Sequence, residues 1–419
     1  MAFDPTDLTR ELDDRLREAD SALAQQFPGE RPTRQPVHTV YVPADRYDAE
    51  LAPSWGARAL ASLDEHGGTA QEYAALLGLP ADLAEDVVAR VRAKLATEPI
   101  EDLRIDFEDG YGAPGDDAED AAITTAAADL LTSIEGRTAA PFNGIRFKSF
   151  EAPTRTRGVR TLARFVEAVA RGAGTVPDGF VVTLPKVTSV DQVEAMVHAA
   201  EAVERGVGLE PGSLRFEIQV ETPQSILGPD GTALVARMVH ASAGRCTGLH
   251  YGTYDYSAST GIAAAYQSME HPAADHAKAV MQVAAAGTGV RLSDGSTNIL
   301  PVGERDAVHR AWALHARLVR RSLERGFYQG WDLHPAQLPS RYAATYAFFR
   351  EGLPAAAERL RNYVGQVDSG VMDEPATARA LADFVVRGLD CGATDEQEVQ
   401  ALTGLDRPAI DRLAKRVAA

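Results

Sequence analysis

Apolar positions along this 419-residue chain follow two alternating rhythms. Short runs rich in β-branched and aromatic residues, bounded by Gly, Pro and Asp, read as strands. They stand at His38–Pro43, Leu103–Asp109, Gly144–Lys148, Gly179–Lys186, Leu214–Glu221, Cys246–Gly252 and Tyr328–Pro335, with a weaker candidate near Thr297–Pro301. Alanine-rich stretches with helical spacing separate most of them, at Asp120–Ile134, Gly158–Arg171, Val190–Glu204, Thr232–Ser242 and Asp275–Ala286. Strand then helix, repeated about eight times, predicts either a (β/α)8 barrel or a doubly wound sheet. Charged residues at the ends of most strands favour the barrel, whose carboxyl-terminal rim is where chemistry is built.

The remaining segments read as appendages to that barrel. Leu8, Leu12, Leu16 and Leu23 give residues 4–27 helical spacing, and the Pro-rich link Pro28–Pro36 separates this outer helix from the first strand. Helical patterns fill residues 55–98 after the first strand, too long for one crossover and therefore an insertion. Beyond Gln337 the chain turns helical, with predicted helices at Ser340–Arg350, Pro354–Val364, Glu374–Leu389, Glu396–Leu402 and Arg407–Val417. The expected division is an N-terminal helix and linker (1–37), the TIM barrel with its insertion (38–350), and a C-terminal helical extension (351–419) that could serve as an inter-subunit lid.

Composition narrows the classes. A hydrophobic content of 45% with 24% charged residues belongs to an ordinary globular protein. The net charge of -18 argues against nucleic acid as a partner, since phosphates demand a basic footprint. No run approaches the length of a membrane span, and the N-terminus lacks the basic and apolar regions of a signal peptide. The expected location is the cytoplasm, away from membranes. Two cysteines, Cys246 and Cys391, make neither a disulfide scaffold nor a thiolate zinc site, and both are expected to be buried or inert.

The candidate chemistry sits at strand ends. Glu221 and Asp255 each stand where an apolar run gives way to Pro, Gly or Ser. Two carboxylates in successive strand–helix units reach one point on a barrel rim, and hard oxygen ligands suit magnesium, with manganese as the alternative ion. Each could instead cap the helix that follows. Asp106, Glu108 and Asp109 crowd three carboxylates into four residues, which is costly without a cation or an Arg nearby. Arg146, inside an otherwise apolar run, could pair with that cluster and also grip a carboxylate or a developing enolate oxygen in forked geometry. Lys186 at another strand end suits an electrostatic role, with a Schiff base as the alternative. His334 closes the last strand, as a substrate contact or a structural group.

Taken in order, the motifs Tyr41–Pro43, Asp106–Asp109, Ile145–Arg146, Leu184–Val187, Val220–Pro223, Tyr251–Asp255 and Gly330–Gln337 resemble those of the citrate lyase beta-subunit-like and HpcH/HpaI aldolase superfamily, in the phosphoenolpyruvate/pyruvate barrel group. The resemblance implies a divalent metal on Glu221 and Asp255, an oxoacid on Arg146, and aldol or Claisen chemistry through a metal-stabilised enolate. It implies a carbon–carbon lyase acting on a pyruvate-like 2-oxoacid or related organic acid. Thioester chemistry of the malyl-coenzyme A lyase, malate synthase or citryl-coenzyme A lyase kind stays open, with a coenzyme A thioester as substrate. So does a non-catalytic barrel that binds an organic acid. Met372–Pro375 resembles the lyases' C-terminal segment, which reaches into a neighbouring subunit's site; by that resemblance Asp373 is an acid/base and the protein a homo-oligomer, a trimer or hexamer.

Overall fold

Strict alternation within the strands decides which side chains enter the barrel. The computed structural model describes residues 5–365 and 374–414. Its strands are β1 (His38–Pro43), β2 (Asp102–Asp106), β3 (Phe142–Arg146), β4 (Phe180–Leu184), β5 (Arg215–Val220), β6 (Cys246–Tyr251), β7 (Arg291–Ser293) and β8 (Gly330–Asp332). They form one parallel sheet in the order β7-β6-β5-β4-β3-β2-β1-β8. Between β7 and β8 the ladder shrinks to a Ser293–Gln329 bridge, with Asp294 N–H donating to the Gln329 carbonyl at 2.8 Å. The barrel therefore closes, narrowly, at that seam.

Outward positions such as Val40, Leu103, Ile105, Ile145, Val182, Phe216, Ile218 and Leu249 are buried in the apolar layer beneath the helices. Inward positions are polar to an unusual degree, since barrel interiors are ordinarily filled by branched aliphatic side chains. Arg104 of β2 donates to both Asp102 and Glu217 of β5, while Thr183 of β4, His250 of β6 and Tyr41 of β1 all reach the same Glu217 carboxylate. Charges buried in this way persist only when paired and hydrogen-bonded. Glu217 meets that condition, and although burial opposes ionisation, the Arg104 and His250 charges hold it well below the usual carboxylate range.

The helices, in chain order, are α1 (Pro5–Gln26), α2 (Leu51–His66), α3 (Ala70–Leu77), α4 (Ala84–Thr97), α5 (Asp116–Glu135), α6 (Arg155–Ala173), α7 (Val190–Val207), α8 (Pro223–Ile226), α9 (Leu234–Ala241), α10 (Thr253–Ser259), α11 (Pro272–Ala285), α12 (Arg305–Glu324), α13 (Leu338–Gly365), α14 (Pro375–Cys391), α15 (Glu396–Thr403) and α16 (Arg407–Leu413). The insertion is the trio α2–α4, in which α3 opens with a capping box between Thr69 and Glu72. None of the residues of α1 is buried. A second apolar cluster joins the far half of α13 to α14, α15 and α16 through Leu353, Leu360, Val385, Val386, Val399 and Ile410.

Four expectations change in detail. The seventh strand is Arg291–Ser293, ahead of Thr297–Pro301, because it is only three residues long and lacks an alternating run. Helix α12 was not anticipated. The pair expected on either side of residues 351–353 is one 28-residue helix that carries Pro354 inside it. Asp255 lies in the first turn of α10 instead of on a strand. The cysteines are buried and free.

Candidate active site at the carboxyl-terminal rim

Because β2 and β3 run in parallel register with Asp106 opposite Arg146, the two side chains meet at the rim. Asp106 accepts from Arg146 Nε at 2.8 Å and from Nη2 at 2.6 Å, a forked pair that fixes the guanidinium plane. The Asp106 oxygens also accept from the backbone N–H groups of Glu108 and Gly110. The Tyr41 ring lies 4.7 Å from the guanidinium carbon, beneath its face. Burial alone would lower the Arg146 guanidinium, but the Asp106 charge outweighs it and holds the group permanently protonated. Its Nη1 edge is the less committed one, with only long contacts to Gln219 Oε1 at 3.4 Å and Glu108 Oε2 at 3.5 Å.

Lys186 follows β4 in a left-handed backbone conformation, φ 52°, rare for a side chain of this size. That turn aims its backbone N–H at Glu221 Oε1, 2.8 Å away. Its ammonium meanwhile bridges Glu108 at 2.9 Å and Asp109 at 2.6 Å. Burial works against the ammonium, but the charges of Glu221 and Glu108 prevail and raise it above the usual lysine value. A Schiff-base lysine needs the opposite shift. Glu108, raised by burial despite Arg146 and Lys186, and Asp109, lowered by its hydrogen bond from Lys186 against burial, complete the acidic side of this clamp.

Glu221 is fully buried just past β5. Gln219 Nε2 donates to its second oxygen, so each oxygen accepts one hydrogen bond and keeps a lone pair free. Burial pushes its carboxyl up to about 8, with Lys186 opposing and the Asp255 charge adding to the rise. Gly252 explains how the backbone of the next strand passes so near: a Cβ there would stand 2.5 Å from Glu221 Cβ and 2.9 Å from Oε2. Asp255 is exposed, one turn into α10. Thr253 Oγ1, on the same turn, is buried without a hydrogen-bond partner. Among the described residues, no three His, Cys, Asp or Glu side chains gather closely enough to hold a metal ion on their own. Two carboxylates are nevertheless a donor set of the kind magnesium uses, its other positions going to water and substrate.

His334 takes a different part. Its Nδ1 accepts from the Ala336 N–H at 3.2 Å, capping the short turn before α13, and its Nε2 lies 3.5 Å from Arg58 of the insertion. Burial, then the Arg58 charge, lowers its proton affinity, so the ring is neutral at pH 7. Asp332 of the same motif points away from the rim and ties β8 to the helices, accepting from Arg341 and bonding His38 and His315. Asp373 lies outside the described residues.

Strands and helices together form a closed parallel α/β barrel with a polar carboxyl-terminal rim. A solved citrate lyase from Burkholderia xenovorans LB400 is similar at TM-score 0.55 and 21% identity, covering 76% of this chain and 92% of that one. The protein CitE of Mycobacterium tuberculosis, in complex with magnesium, acetoacetate and coenzyme A, is similar at TM-score 0.49 and 16% identity over 86% of this chain and 99% of that one. The malate synthase of Haloferax volcanii is similar at TM-score 0.49 and 14% identity over 93% and 99%. The chain itself belongs to the family described as Domain of unknown function (DUF6986), which it matches over residues 16–418. A search of curated proteins finds no match.

Proposed function

We propose that this protein is a divalent-metal-dependent carbon–carbon lyase of the aldolase type, acting on a pyruvate-like 2-oxoacid or a related organic acid. The observation that carries the reading is the juxtaposition at one rim of a buried, reluctant carboxylate, Glu221, with a guanidinium whose orientation is locked by Asp106. Glu221 and Asp255 would hold magnesium, or manganese in its place, and a cation there supplies Lewis-acid polarisation of the oxoacid carbonyl. Arg146 binds the substrate carboxylate along its Nη1 edge and steadies the negative charge that bond cleavage leaves on the enolate oxygen. Asp106 positions Arg146. Glu108 and Asp109 hold the Lys186 ammonium in place beside the same rim. The neutral His334, next to Arg58, contributes a hydrogen-bonding edge for the distal part of the substrate.

In this reading residues 38–350 are the catalytic barrel, 1–37 and 351–419 its appendages. The protein works as a homo-oligomer in which Asp373 of a neighbouring chain moves the proton. The test is solvent deuterium incorporation into the methyl group of pyruvate, followed by proton NMR with magnesium and again with chelator. Metal-dependent exchange that disappears in Glu221→Ala supports the reading. Full exchange by that variant, correctly folded and supplied with magnesium, would sink it.

A further inference from the structure

A cavity of about 440 Å³ opens at the end of the barrel opposite the rim, among the amino-terminal ends of the strands. That size suits a small metabolite. Its inner wall is the network already described, where Arg104 is matched by Asp102 and Glu217. Its mouth is different. Arg31, from the linker before β1, and Arg215, at the start of β5, both line it. Arg31 donates to the carbonyls of Gly289 and Cys246, each at 2.9 Å, and Arg215 to the carbonyl of Gly244 at 2.6 Å. Among the described residues neither forms an ion pair with a carboxylate, in a chain of net charge -18 where most buried arginines have one.

Carbonyl oxygens satisfy N–H groups without cancelling the positive charges, and the exposed Asp178, which lines the same cavity, forms an ion pair with neither arginine. Two like charges held at one cavity mouth repel. The strain is visible at Arg31, where burial and then the neighbouring Arg215 charge make its guanidinium easier to deprotonate than an ordinary one. A third, independent feature is Ser213, two residues ahead of Arg215, which lines the same cavity and whose hydroxyl is buried with no partner. A hydroxyl donor beside two guanidiniums, each keeping spare N–H groups on its fork, is a receptor for oxygen-rich anions.

We propose that this floor cavity binds a small multivalent oxyanion, a phosphate or a di- or tricarboxylate, through Arg31, Arg215 and Ser213. Residues at this end of a barrel ordinarily serve stability, and Arg31 does tie the linker to β6 and the turn before β7. The unmatched charge and the idle hydroxyl go beyond that duty. The site is separated from the rim by the Arg104–Glu217 layer and does not depend on the lyase reading.

The test is isothermal titration of the full chain with inorganic phosphate and with citrate, at constant ionic strength, with chloride as control. Saturable binding of either is expected, and which of the two binds identifies the source. Arg215→Gln should weaken it about tenfold or more, the loss of one charge-assisted contact, and Ser213→Ala by a smaller factor. Arg215 is half-buried with one carbonyl bond, so Arg215→Gln should fold, as circular dichroism will verify. Glu221→Gln, at the rim, should bind as the parent does. Binding that Arg215→Gln and Ser213→Ala retain, binding that Glu221→Gln abolishes, or no binding of either anion overturns the proposal.

Discussion

In metal-free protein, Glu221 should impose a measurable pH dependence on stability. Its carboxyl is raised from an ordinary 4.5 to about 8 in the fold, chiefly by burial. A raised acid binds more protons folded than unfolded, so its contribution is fully present below about 4.5 and is lost as pH rises through about 8. Across most of that window the loss runs near 1.4 kcal/mol per pH unit; from pH 5.5 to 7.5 it integrates to about 2.5 kcal/mol. Other groups titrate in the same range, including His315, whose proton affinity burial lowers despite Asp332. The informative quantity is therefore the difference between the parent and Glu221→Gln, which cannot ionise. Urea unfolding in the presence of chelator should show the variant gaining about 2.5 kcal/mol on the parent between pH 5.5 and pH 7.5. Parallel profiles across the window would refute the burial argument. If the rim holds a divalent ion, the same proton must leave on binding, so magnesium affinity should climb about tenfold per pH unit up to about 8.

Further outcomes follow from the same geometry. Asp106→Asn leaves the buried Arg146 charge without its forked partner and should cost about 3 kcal/mol or more in chemical denaturation, against a negligible cost for the exposed Asp7. Gly144→Ala would place a Cβ 1.6 Å from the Val181 carbonyl oxygen across β3 and β4, so the variant should fail to yield soluble folded protein on gel filtration. Removing residues 1–26 discards a helix with no buried residue and should move the unfolding free energy by no more than about 0.5 kcal/mol.

Much of the barrel was legible because its strands are short runs flanked by Gly and Pro. β1 falls on the expected residues, and β2 to β6 lie within or beside theirs. What failed was legible only in three dimensions. β7 is three residues held by its neighbour and by the closing seam, so no run marks it. Pro354 does not end α13, because a helix packed against α4, α12 and α14 can bear the loss of one internal hydrogen bond. At the rim, the pairing of Arg146 with Asp106 followed from alternation and parallel register, and Glu108 joins the same face. Gln219 carried no signal of its own; only the fold shows it beside Glu221.

The polar barrel interior was written in that alternation too. Asp102, Arg104 and Asp106 share one face of β2, and Glu217, Gln219 and Glu221 share one face of β5. Reading Asp106 and Glu221 as functional without following the period two residues further back leaves out the layer that supports them. That layer has a physical purpose at the rim. Tyr41 touches Glu217 with its hydroxyl at 3.3 Å and Arg146 with its ring, and Trp331 packs on Tyr41 while donating to His250. The Arg146 guanidinium is thus held from the side by Asp106 and from below by a ring that is itself anchored in the charged layer. A barrel filled with aliphatic side chains would cost less to bury, but it would offer Tyr41 no partner for its hydroxyl. The expense of burying Arg104, Asp102 and Glu217 is best understood as the cost of orienting one positive edge at the place where an anionic substrate is proposed to dock.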